Sequence, residues 1–498
     1  MKRTLCLLLA GLILLPILAS CGKTAGQAAD PTEPTASAAG ETAGEQTEVA
    51  EASYVLPKEQ YDGYVFRIIA RVPYDSAWTI AKYNEVEVES ENGDVLNDAI
   101  YSRNSQAEEL LDIGIRHISA GVSGFDASTA ALKSILAGDD AFDAMMINGS
   151  TLPAILSSRS ALDLTEIGAM DISLPWWDAN SVADLSFGGR LWGVAGDMCL
   201  MTMGAIITLM FNKVILENLG EEMPYEMVRK GTWTVDRLNE LSALAARDLD
   251  GNGGFDENDC FGYAAYAGVL QTALTESGCP ISTKDKNDLP SLTLNSARTD
   301  SVINTWLELL HREGNFYASD FSSKVKDVPF DLMNPMFCDN RILFYRQQLL
   351  GALNLRAMEA DYGIIPSPKF DEAQERYYSC VHYYWSSFVM IPVTQPDADR
   401  CASILNVIGY YSREYIRPAF FDTTVSAKVA RDDDTLDMLD IIADSRTYEV
   451  ARIFDWGSIT SLLNTMESGT ENTFASQWAS NADKAQAALD ASIALYGE

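Results

Sequence analysis

The chain lacks several features that would identify a common class of enzyme. It has only three histidines, His117, His311 and His382, among 498 residues. None of them belongs to an HExxH motif, and none lies beside a nucleophile elbow or in a triad-like setting. His117 follows an apolar strand and His382 sits among tyrosines, which is typical of a hydrogen-bonded structural histidine. The sequence therefore offers no recognisable catalytic base.

Cysteine is also scarce where a metal site would need it. Cys6 and Cys21 lie near the N-terminus, and the others are scattered without metal-ligand spacing: Cys199, Cys260, Cys279, Cys338, Cys380 and Cys401. This spacing argues against structural zinc. Disulfides and buried free thiols are both compatible with it, and the sequence does not decide between them.

Positive charge is in short supply as well. The chain has 36 Lys and Arg against 71 Asp and Glu, which gives a formal net charge of −35. Nucleic acid and anionic lipid headgroups would repel such a chain, so we expect no nucleic-acid partner. An acidic balance suits an extracellular surface protein but identifies no ligand.

The N-terminus resembles that of a bacterial lipoprotein. Lys2 and Arg3 precede an apolar run at 5–18, and Leu18-Ala19-Ser20-Cys21 follows. We interpret residues 1–20 as a lipoprotein signal peptide and Cys21 as the lipidation site that anchors the mature protein to the cell membrane. A retained signal anchor is the alternative, but the apolar run is shorter than the ~20 residues that span a bilayer. No later segment is long and apolar enough to span.

The segment at 22–53 consists mainly of Ala, Gly, Thr, Glu, Gln and Pro, with no aromatic residue and no large aliphatic one except Val49. It cannot bury enough apolar surface to fold. We therefore expect residues 21–53 to be a lipidated cysteine followed by a disordered stalk.

From Tyr64 onward, short apolar strands alternate with amphipathic helices. We predict strands at Tyr64–Ala70, Gly114–Ser119 and Phe142–Ile147, and helices at Asp94–Leu111 and Ser128–Leu136. This order predicts a mostly parallel sheet covered by helices. Ligands of such sheets lie beyond the carboxyl ends of the strands, which makes the turn Asn148–Ser150 a candidate binding loop.

A second unit begins after Gly204. We predict a buried strand at Ala205–Phe211 and, after Gly231, a helix that has Thr234 as its N-cap and Leu238 and Leu241 on its buried face.

The order of several short motifs resembles that of the extracellular solute-binding proteins of bacterial ABC importers, the group that includes maltose-binding protein. The motifs are the lipobox and stalk, Ala99-Ile100-Tyr101-Ser102-Arg103-Asn104, Ala137-Gly138-Asp139-Asp140-Ala141-Phe142-Asp143, Phe211-Asn212-Lys213, Gly231-Thr232-Trp233-Thr234 and Tyr362-Gly363-Ile364-Ile365-Pro366-Ser367-Pro368-Lys369. The resemblance implies an α/β, two-lobe periplasmic-binding-protein-like fold of type 2, with hinge strands and a ligand cleft between the lobes.

The resemblance also implies where the lobes begin and end. Residues 54–203 and 361–396 would form the N-terminal lobe, and residues 204–360 and 397–498 the C-terminal lobe. It implies a receptor that captures an extracellular solute and delivers it to the transmembrane subunits of a permease. We expect this receptor to act as a monomer, and we expect it to do no chemistry.

The cleft of a sugar receptor needs aromatic rings and hydrogen-bonding side chains. Our candidates are Trp78, Asn148, Ser150, Trp177, Asp197, Tyr345 and Trp385, together with Trp176 and Asp178, which adjoin Trp177. Each Trp could equally serve core packing, a role that we assign outright to Trp233 and Trp306. The Asp residues could be helix caps or turn residues. We expect an oligosaccharide, although a peptide, a polyamine or an amino acid could use the same residues.

The stretch DLDGNGGFDEND resembles a calcium-binding loop. Asp248, Asp250, Asn252, Gly254, Asp256 and Asp259 occupy the ligand positions of an EF-hand loop, with Asp259 where a bidentate Glu is usual. The loop occurs once, and the residues after it, at 260–266, have the pattern of a strand or turn, so the helix-loop-helix pair of a sensor is missing. We predict a structural Ca²⁺ that fastens a loop of the C-terminal lobe, and the alternative is an Asx turn without metal.

Two other classes of function stay open at this point. A surface carbohydrate-active enzyme would need two carboxylates at a set separation, and a chain with 71 acidic residues always contains such pairs. A calcium-stabilised adhesion or sensor lipoprotein is the other alternative.

Overall fold

The computed structural model describes residues 54–122, 124–421 and 433–496. The predicted signal peptide at 1–20, the lipidation site Cys21 and the stalk at 21–53 lie outside these residues. The described residues form a single compact unit. Within them, every helix is either too short or too polar to cross a bilayer.

The strands are short. In chain order they are β1 Tyr64–Ala70, β2 Ile113–Ser119, β3 Ala144–Asn148, β4 Ile207–Asn212, β5 Phe261–Ala265, β6 Ser282–Lys284, β7 Pro290–Leu292, β8 Phe316–Tyr317, β9 Ile342–Gln348, β10 Tyr362–Ile365, β11 Ser379–Cys380, β12 Ser387–Met390 and β13 Arg446–Thr447.

The helices cover the sheets and the connections between them. In chain order they are α1 Val95–Leu111, α2 Gly124–Ala137, α3 Leu152–Ser157, α4 Ala179–Leu185, α5 Leu200–Gly204, α6 Lys213–Leu219, α7 Tyr225–Arg229, α8 Val235–Ala245, α9 Val269–Glu276, α10 Ala297–His311, α11 Asn334–Cys338, α12 Ala398–Pro418, α13 Asp433–Asp444, α14 Val450–Phe454, α15 Ile459–Glu467 and α16 Phe474–Tyr496.

Two sheets organise the described residues. The first sheet has the order β12-β3-β1-β2, in which β1 pairs in parallel with both β2 and β3, and β12 is antiparallel to β3. The second has the order β10-β4-β9-β5-β8 and mixes parallel with antiparallel pairs. We refer to the elements built on the first sheet as the first lobe and to those built on the second as the second lobe.

Local sequence explains the elements that were predicted. Asp94 caps α1, because its carboxylate accepts hydrogen bonds from the backbone N–H groups of Leu96 and Asn97 at 3.1 Å. Thr234 caps α8 in the same way through the N–H of Arg237. Trp233 and Trp306 are fully buried, as predicted. Helix α2 begins four residues before the predicted start at Ser128.

Two elements, β10 and α12, lie against a different sheet or helix from the one that the predicted lobe boundaries imply. We expected 361–396 to return to the first lobe at once, but β10 pairs along its length with β4 of the second sheet. We expected 397–498 to belong to the second lobe, but α12 packs against α1 of the first. Helix α12 follows directly after the chain has returned to the first sheet through β12, so it covers the nearest open face.

The true crossing between the lobes is a short ribbon. Residues 381–387, which we call the crossing segment, lead from β11 into β12 of the first sheet. Val381 forms an antiparallel bridge with Ile206, and the N–H of His382 donates to the carbonyl of Ala205 at 2.8 Å. The outgoing and returning chains are therefore hydrogen-bonded to each other where they pass between the lobes.

Candidate functional site

Two neighbouring cavities flank the crossing segment. The first, of about 150 Å³, we call the Arg452 cavity. Its walls come from the second sheet, from α9, α14 and α15, and from the crossing segment: Ile207, Tyr266, Ala267, Gly268, Val269, Gln271, Thr272, Arg346, Gln347, His382, Tyr383, Arg452 and Asn464. A void of this size holds one ring of benzene dimensions.

The second cavity, of about 170 Å³, we call the Trp385 cavity. Its walls come from the first lobe and the crossing segment: Arg71, Tyr74, Glu85, Val122, Met146, Asn148, Met201, Tyr384, Trp385, Ser386 and Ser387. Because Tyr383 and Tyr384 are adjacent in the chain, the two cavities share one stretch of backbone as a common wall.

The carboxyl end of β3 contributes Asn148, as predicted. Its side-chain oxygen accepts from the backbone N–H of Ser150 at 2.8 Å, and its amide group donates to the carbonyl of Tyr384. Ser150 is half-buried and stabilises this turn rather than forming a cavity wall. The turn thus fixes the crossing segment against the first sheet.

Aromatic rings gather at the rim of the Trp385 cavity. The ring centroids of Trp78 and Trp385 lie 5.8 Å apart, and Trp78 also meets Phe330 of the second lobe edge-on at 4.8 Å. Beside them, the Asn354 side chain donates to the carbonyl of Ala77. The two lobes therefore touch at this rim, where Trp385 lines the cavity and Trp78 packs beside it; that either ring binds a ligand stays a prediction.

A buried ion pair lies in the wall of the Trp385 cavity. Arg71 follows β1 directly, and its Nε is 3.9 Å from the Glu85 carboxylate. Burial lowers the pKa of Arg71, and Glu85 opposes that shift. Glu85 in turn accepts hydrogen bonds from the Met201 N–H at 2.9 Å and the Ser387 hydroxyl at 2.7 Å. The pair therefore presents both a donor and an acceptor to the cavity.

The Arg452 cavity contains a second set of charged groups. Arg346, on β9, pairs with Glu276 at 2.8 Å and also contacts Thr272 and Ser367. Arg452, on α14, lies over the Tyr383 ring at 5.2 Å from its centroid. Burial, together with the charges of Arg452 and Arg346, lowers the pKa of His382 to about 3. His382 is therefore neutral at ordinary pH.

Three predicted cleft residues lie elsewhere. Tyr345 is fully buried, and its hydroxyl donates to Asn334 at 3.0 Å and accepts from Gln347. The structure places Tyr345 in the second-lobe core and not in the wall of either cavity, because Gln347 and Asn334 cover its hydroxyl, and Arg346 and Gln347 line the Arg452 cavity instead.

Trp177 and Asp197 are also remote from both cavities. Trp177 is buried and donates from its indole N–H to Asn406 of α12 at 3.0 Å, so α12 covers it. Asp197 is buried beside Arg413 and Arg417, at 3.4 and 3.6 Å. The predictions for these two residues are wrong, because long-range packing of α12 encloses them.

The neighbours of Trp177 have structural roles. Trp176 packs edge-on against Tyr54 and Tyr410. Asp178 caps α4 and accepts a hydrogen bond from the Tyr448 hydroxyl at 2.6 Å.

Sequence reasoning missed the charged residues of the site. Arg71 stands at the carboxyl end of β1, a position that the strand-end rule could have indicated. Arg346 follows the wrongly chosen Tyr345 by one residue. Arg452, in the stretch Glu449-Val450-Ala451-Arg452, carries no local signal that distinguishes it from a solvated helix residue.

The DLDGNGGFDEND loop forms a separate cluster of carboxylates. One oxygen from each of Asp248, Asp250 and Asp259 lies within 4.8 Å of the others. The Asn252 side-chain amide donates hydrogen bonds to Asp250 at 2.9 Å and to Asp256 at 3.3 Å. Asn252 is therefore in direct contact with two of the other predicted ligands. Gly254 follows, its N–H bonded to the Asn252 side-chain oxygen at 2.9 Å.

Backbone N–H groups already stabilise these carboxylates. Asp248 accepts from Gly253 at 2.9 Å and Gly251 at 2.7 Å, which lowers its pKa. Asp259 is buried, and it accepts from the N–H groups of Leu249 and Asp256. The loop is therefore preorganised, with the carboxylates of Asp248, Asp250 and Asp259 close together, and it leads into β5 rather than into a second helix.

The comparisons with known proteins identify the fold. No protein-family model matches the chain, and no curated protein matches it in sequence. Solved structures do match. One is UgpB from Mycobacterium tuberculosis in complex with glycerophosphocholine, with a TM-score of 0.55, 16% identity and coverage of 86% of this chain and 99% of that one.

Two further matches are an ABC substrate-binding protein, Lmo0181 from Listeria monocytogenes, in complex with cycloalternan, and a cyclo/maltodextrin-binding protein complexed with maltotetraose. Their TM-scores are 0.50 and 0.54, and each is 11% identical over 88% of this chain, with 100% and 99% of the matched chains covered. The chain has the fold of ABC substrate-binding proteins. The predicted α/β, two-lobe architecture is therefore confirmed, and in this substrate-binding-protein fold both cavities adjoin the crossing between the lobes.

Proposed function

We propose that this protein is the substrate-binding component of an ABC importer, which captures a small sugar or oligosaccharide between its lobes and delivers it to a membrane permease. The observation that carries the proposal is the position of the two cavities. Both adjoin the segment that joins the lobes, so a solute bound there contacts the part of the chain that must bend when the lobes move.

The chemistry of the walls supports a polyhydroxylated solute. Trp385, Tyr384 and Tyr74 offer flat apolar faces, while Asn148 and the Arg71–Glu85 pair offer donors and acceptors beside them. Rings with apolar faces and edges rich in hydroxyl groups need this combination. The solved structures of the same fold hold maltotetraose and cycloalternan, which are ligands of those proteins.

A binding screen tests the proposal. The leaderless chain is titrated calorimetrically with oligosaccharides and with peptides, and Trp385→Phe is compared with Trp192→Phe, a half-buried tryptophan that packs on Tyr496 outside both cavities. We expect Trp385→Phe to weaken sugar binding about three- to tenfold, from lost stacking, and Trp192→Phe to leave it unchanged. Binding of peptides alone contradicts the sugar assignment, and turnover of any polysaccharide contradicts the transport role.

We further propose that Cys21 carries the lipid that holds the protein on the outer face of the cell membrane. Two or three acyl chains at one residue anchor a protein stably. Replacing Cys21 with Ser should move the protein from the membrane fraction to the medium. Retention of the variant in the membrane would contradict the lipid anchor.

For the loop at 248–259 we propose a structural Ca²⁺. Asp248, Asp250 and Asp259 are close enough to share one cation, and oxygen donors of this kind suit calcium. We expect calcium to raise the melting temperature, and Asp250→Asn to abolish that increase. Asp285→Asn, which alters an exposed turn carboxylate outside the loop, should preserve it. Equal melting temperatures in calcium and in chelator would show that the loop is only a turn.

A further inference from the structure

Arg452 is a buried cation without an anionic partner among the described residues. Its side chain lines the Arg452 cavity, yet the residue is only 3% exposed. The described part of the chain provides no hydrogen-bond acceptor for its Nε and no carboxylate within ion-pair distance of its guanidinium. Its one close contact is the face of the Tyr383 ring. A buried guanidinium left in this state is costly, because burial removes its hydration and nothing replaces it.

The buried carboxylates of this region are engaged elsewhere. Each of the three is held by its own set of partners: Glu276 by Arg346, Glu449 by Thr275, Ile281 and Ser282, and Glu467 by Gly268, Leu270 and Tyr317. Moving Glu449 or Glu467 towards Arg452 would break existing hydrogen bonds, and moving Glu276 would break its ion pair with Arg346. Glu276 lies within ion-pair distance of Arg346 but acts on Arg452 only from farther away, so Arg452 is the arginine of this cavity that lacks a close anion.

We propose that the Arg452 cavity binds the anionic group of the solute, a carboxylate or a phosphate borne on a sugar-like ring. This deepens the proposed function and rests on it, since it names the class of solute captured at the same site. A planar guanidinium forms paired, charge-assisted hydrogen bonds with either anion. The arriving anion supplies the partner that Arg452 lacks, so the interaction gained on binding exceeds that of a neutral hydroxyl group.

The other polar groups of the cavity suit the rest of such a ring. The Nδ1 of His382 has no hydrogen-bond partner among the described residues, and because its ring is neutral it can serve a hydroxyl group without adding charge. Gln347 and Asn464 add amide groups. The volume of about 150 Å³ limits the cavity to the acidic group and one small ring.

Matched acidic and neutral sugars test the proposal. The leaderless chain is titrated with glucose, galactose and mannose, with the corresponding hexuronates and with the 6-phosphates. We expect at least one acidic form to bind at least tenfold more tightly than its neutral parent. Preference for the hexuronate identifies the anion as a carboxylate, and preference for the 6-phosphate identifies it as a phosphate.

Variants then assign the preference to Arg452. Arg452→Gln should weaken binding of the acidic sugar about ten- to a hundredfold and weaken that of the neutral parent by a clearly smaller factor, so that the preference for the acidic form falls. Arg452→Lys keeps the positive charge but loses the planar guanidinium, so its affinity for the acidic sugar should lie between that of the wild type and that of Arg452→Gln. The control is Arg376→Gln, because Arg376 also lies over a tyrosine ring, at 4.6 Å from Tyr378, but is exposed and outside both cavities. The melting temperature of each ligand-free variant shows whether it is folded.

The outcomes separate this inference from the proposed function. If neutral sugars bind as well as acidic ones, or if Arg452→Gln keeps the preference, the inference is overturned while sugar capture stands. If small anions such as phosphate and acetate bind in an Arg452-dependent way but no sugar does, the anion site stands and the sugar assignment fails. If no acidic probe binds, the inference is overturned.

Discussion

At the scale of single residues, the neutral state of His382 links the site to acid stability. Burial is the main cause of its low pKa, and the charges of Arg452 and Arg346 add to it. An unfolded histidine has a pKa of about 6.5. Between about 6.5 and about 3 the unfolded chain therefore binds more protons than the folded one, and the free energy of unfolding falls as the pH falls through this window.

Replacing His382 with Asn should flatten this dependence. Between pH 6.5 and 5, His382 should lower the free energy of unfolding of the wild-type protein by about 2 kcal/mol. The free energy of unfolding of His382→Asn should fall correspondingly less over the same range. Urea unfolding at each pH measures the difference. His117→Asn on β2 controls for the loss of a histidine as such, and equal pH slopes for wild type and His382→Asn would contradict the predicted burial of a neutral ring.

The residue scale also shows where sequence reasoning failed. All seven residues of β9 are buried, so no polar-apolar alternation reveals which face points to the cavity. Alternation alone would not have identified the lining residues, because Arg346 and Gln347 belong to opposite faces of β9 and both line the Arg452 cavity, while Tyr345 does not. By contrast, Asn148 was predictable, because it ends an apolar strand whose carboxyl edge faces the site.

At the scale of elements, one carboxylate ties three segments of the first lobe together. Asp143 precedes β3 and accepts hydrogen bonds from Arg67 on β1, from the Tyr64 hydroxyl at 2.7 Å and from Gln395 after β12 at 3.0 Å. Burial alone would raise the pKa of Asp143, but these donors outweigh it and hold the pKa below its usual range. The carboxylate therefore stays ionised although its side chain is fully buried.

Asp143→Asn should reduce the free energy of unfolding by about 2 to 4 kcal/mol, since it leaves Arg67 without its buried partner. Asp140 supplies a matched control, because it contacts the same guanidinium at 2.6 Å but is 67% exposed. Asp140→Asn should cost less than about 1 kcal/mol. Chemical denaturation measures the free energy of unfolding of each variant. Similar decreases for Asp143→Asn and Asp140→Asn would contradict the prediction that the buried carboxylate contributes more than the exposed one.

Elements with strong local signals were predictable, and long-range packing was not. The strand Tyr64–Ala70 and the helix that follows Asp94 begin and end where their apolar pattern and cap place them. The position of α12 could not be predicted from the sequence. Asn406 and Trp177 are far apart in the chain, and only the fold brings them within hydrogen-bonding distance. Lobe boundaries depend on such contacts, which sequence order does not reveal.

At the scale of the whole molecule, the described residues are held together without a disulfide. The cysteines Cys199, Cys260, Cys279, Cys338, Cys380 and Cys401 are free thiols, and burial raises the pKa of Cys199, Cys380 and Cys401. Thiol reagents need the thiolate, so burial and a raised pKa both slow the reaction. Stability must therefore come from packing and hydrogen bonding.

Reducing agent should accordingly leave the melting temperature of the leaderless chain unchanged. A thiol-reactive dye should label the native protein slowly. After denaturation without reductant, the dye should label all six of these cysteines. Ser461→Cys introduces an accessible thiol on α15 that should react at once and calibrate the rate. Fewer than six reactive thiols in the denatured, unreduced protein would reveal a disulfide.

The ribbon between the lobes sets the freedom of the whole molecule. Two chains hydrogen-bonded side by side, through Val381 and Ile206 and through His382 and Ala205, resist stretching and shear far more than they resist bending across their width. The ribbon therefore opposes separation of the lobes more than it opposes bending between them. His382 belongs both to this ribbon and to the wall of the Arg452 cavity. A ligand held in that cavity would therefore touch the ribbon itself, which couples its binding to the bending of the ribbon.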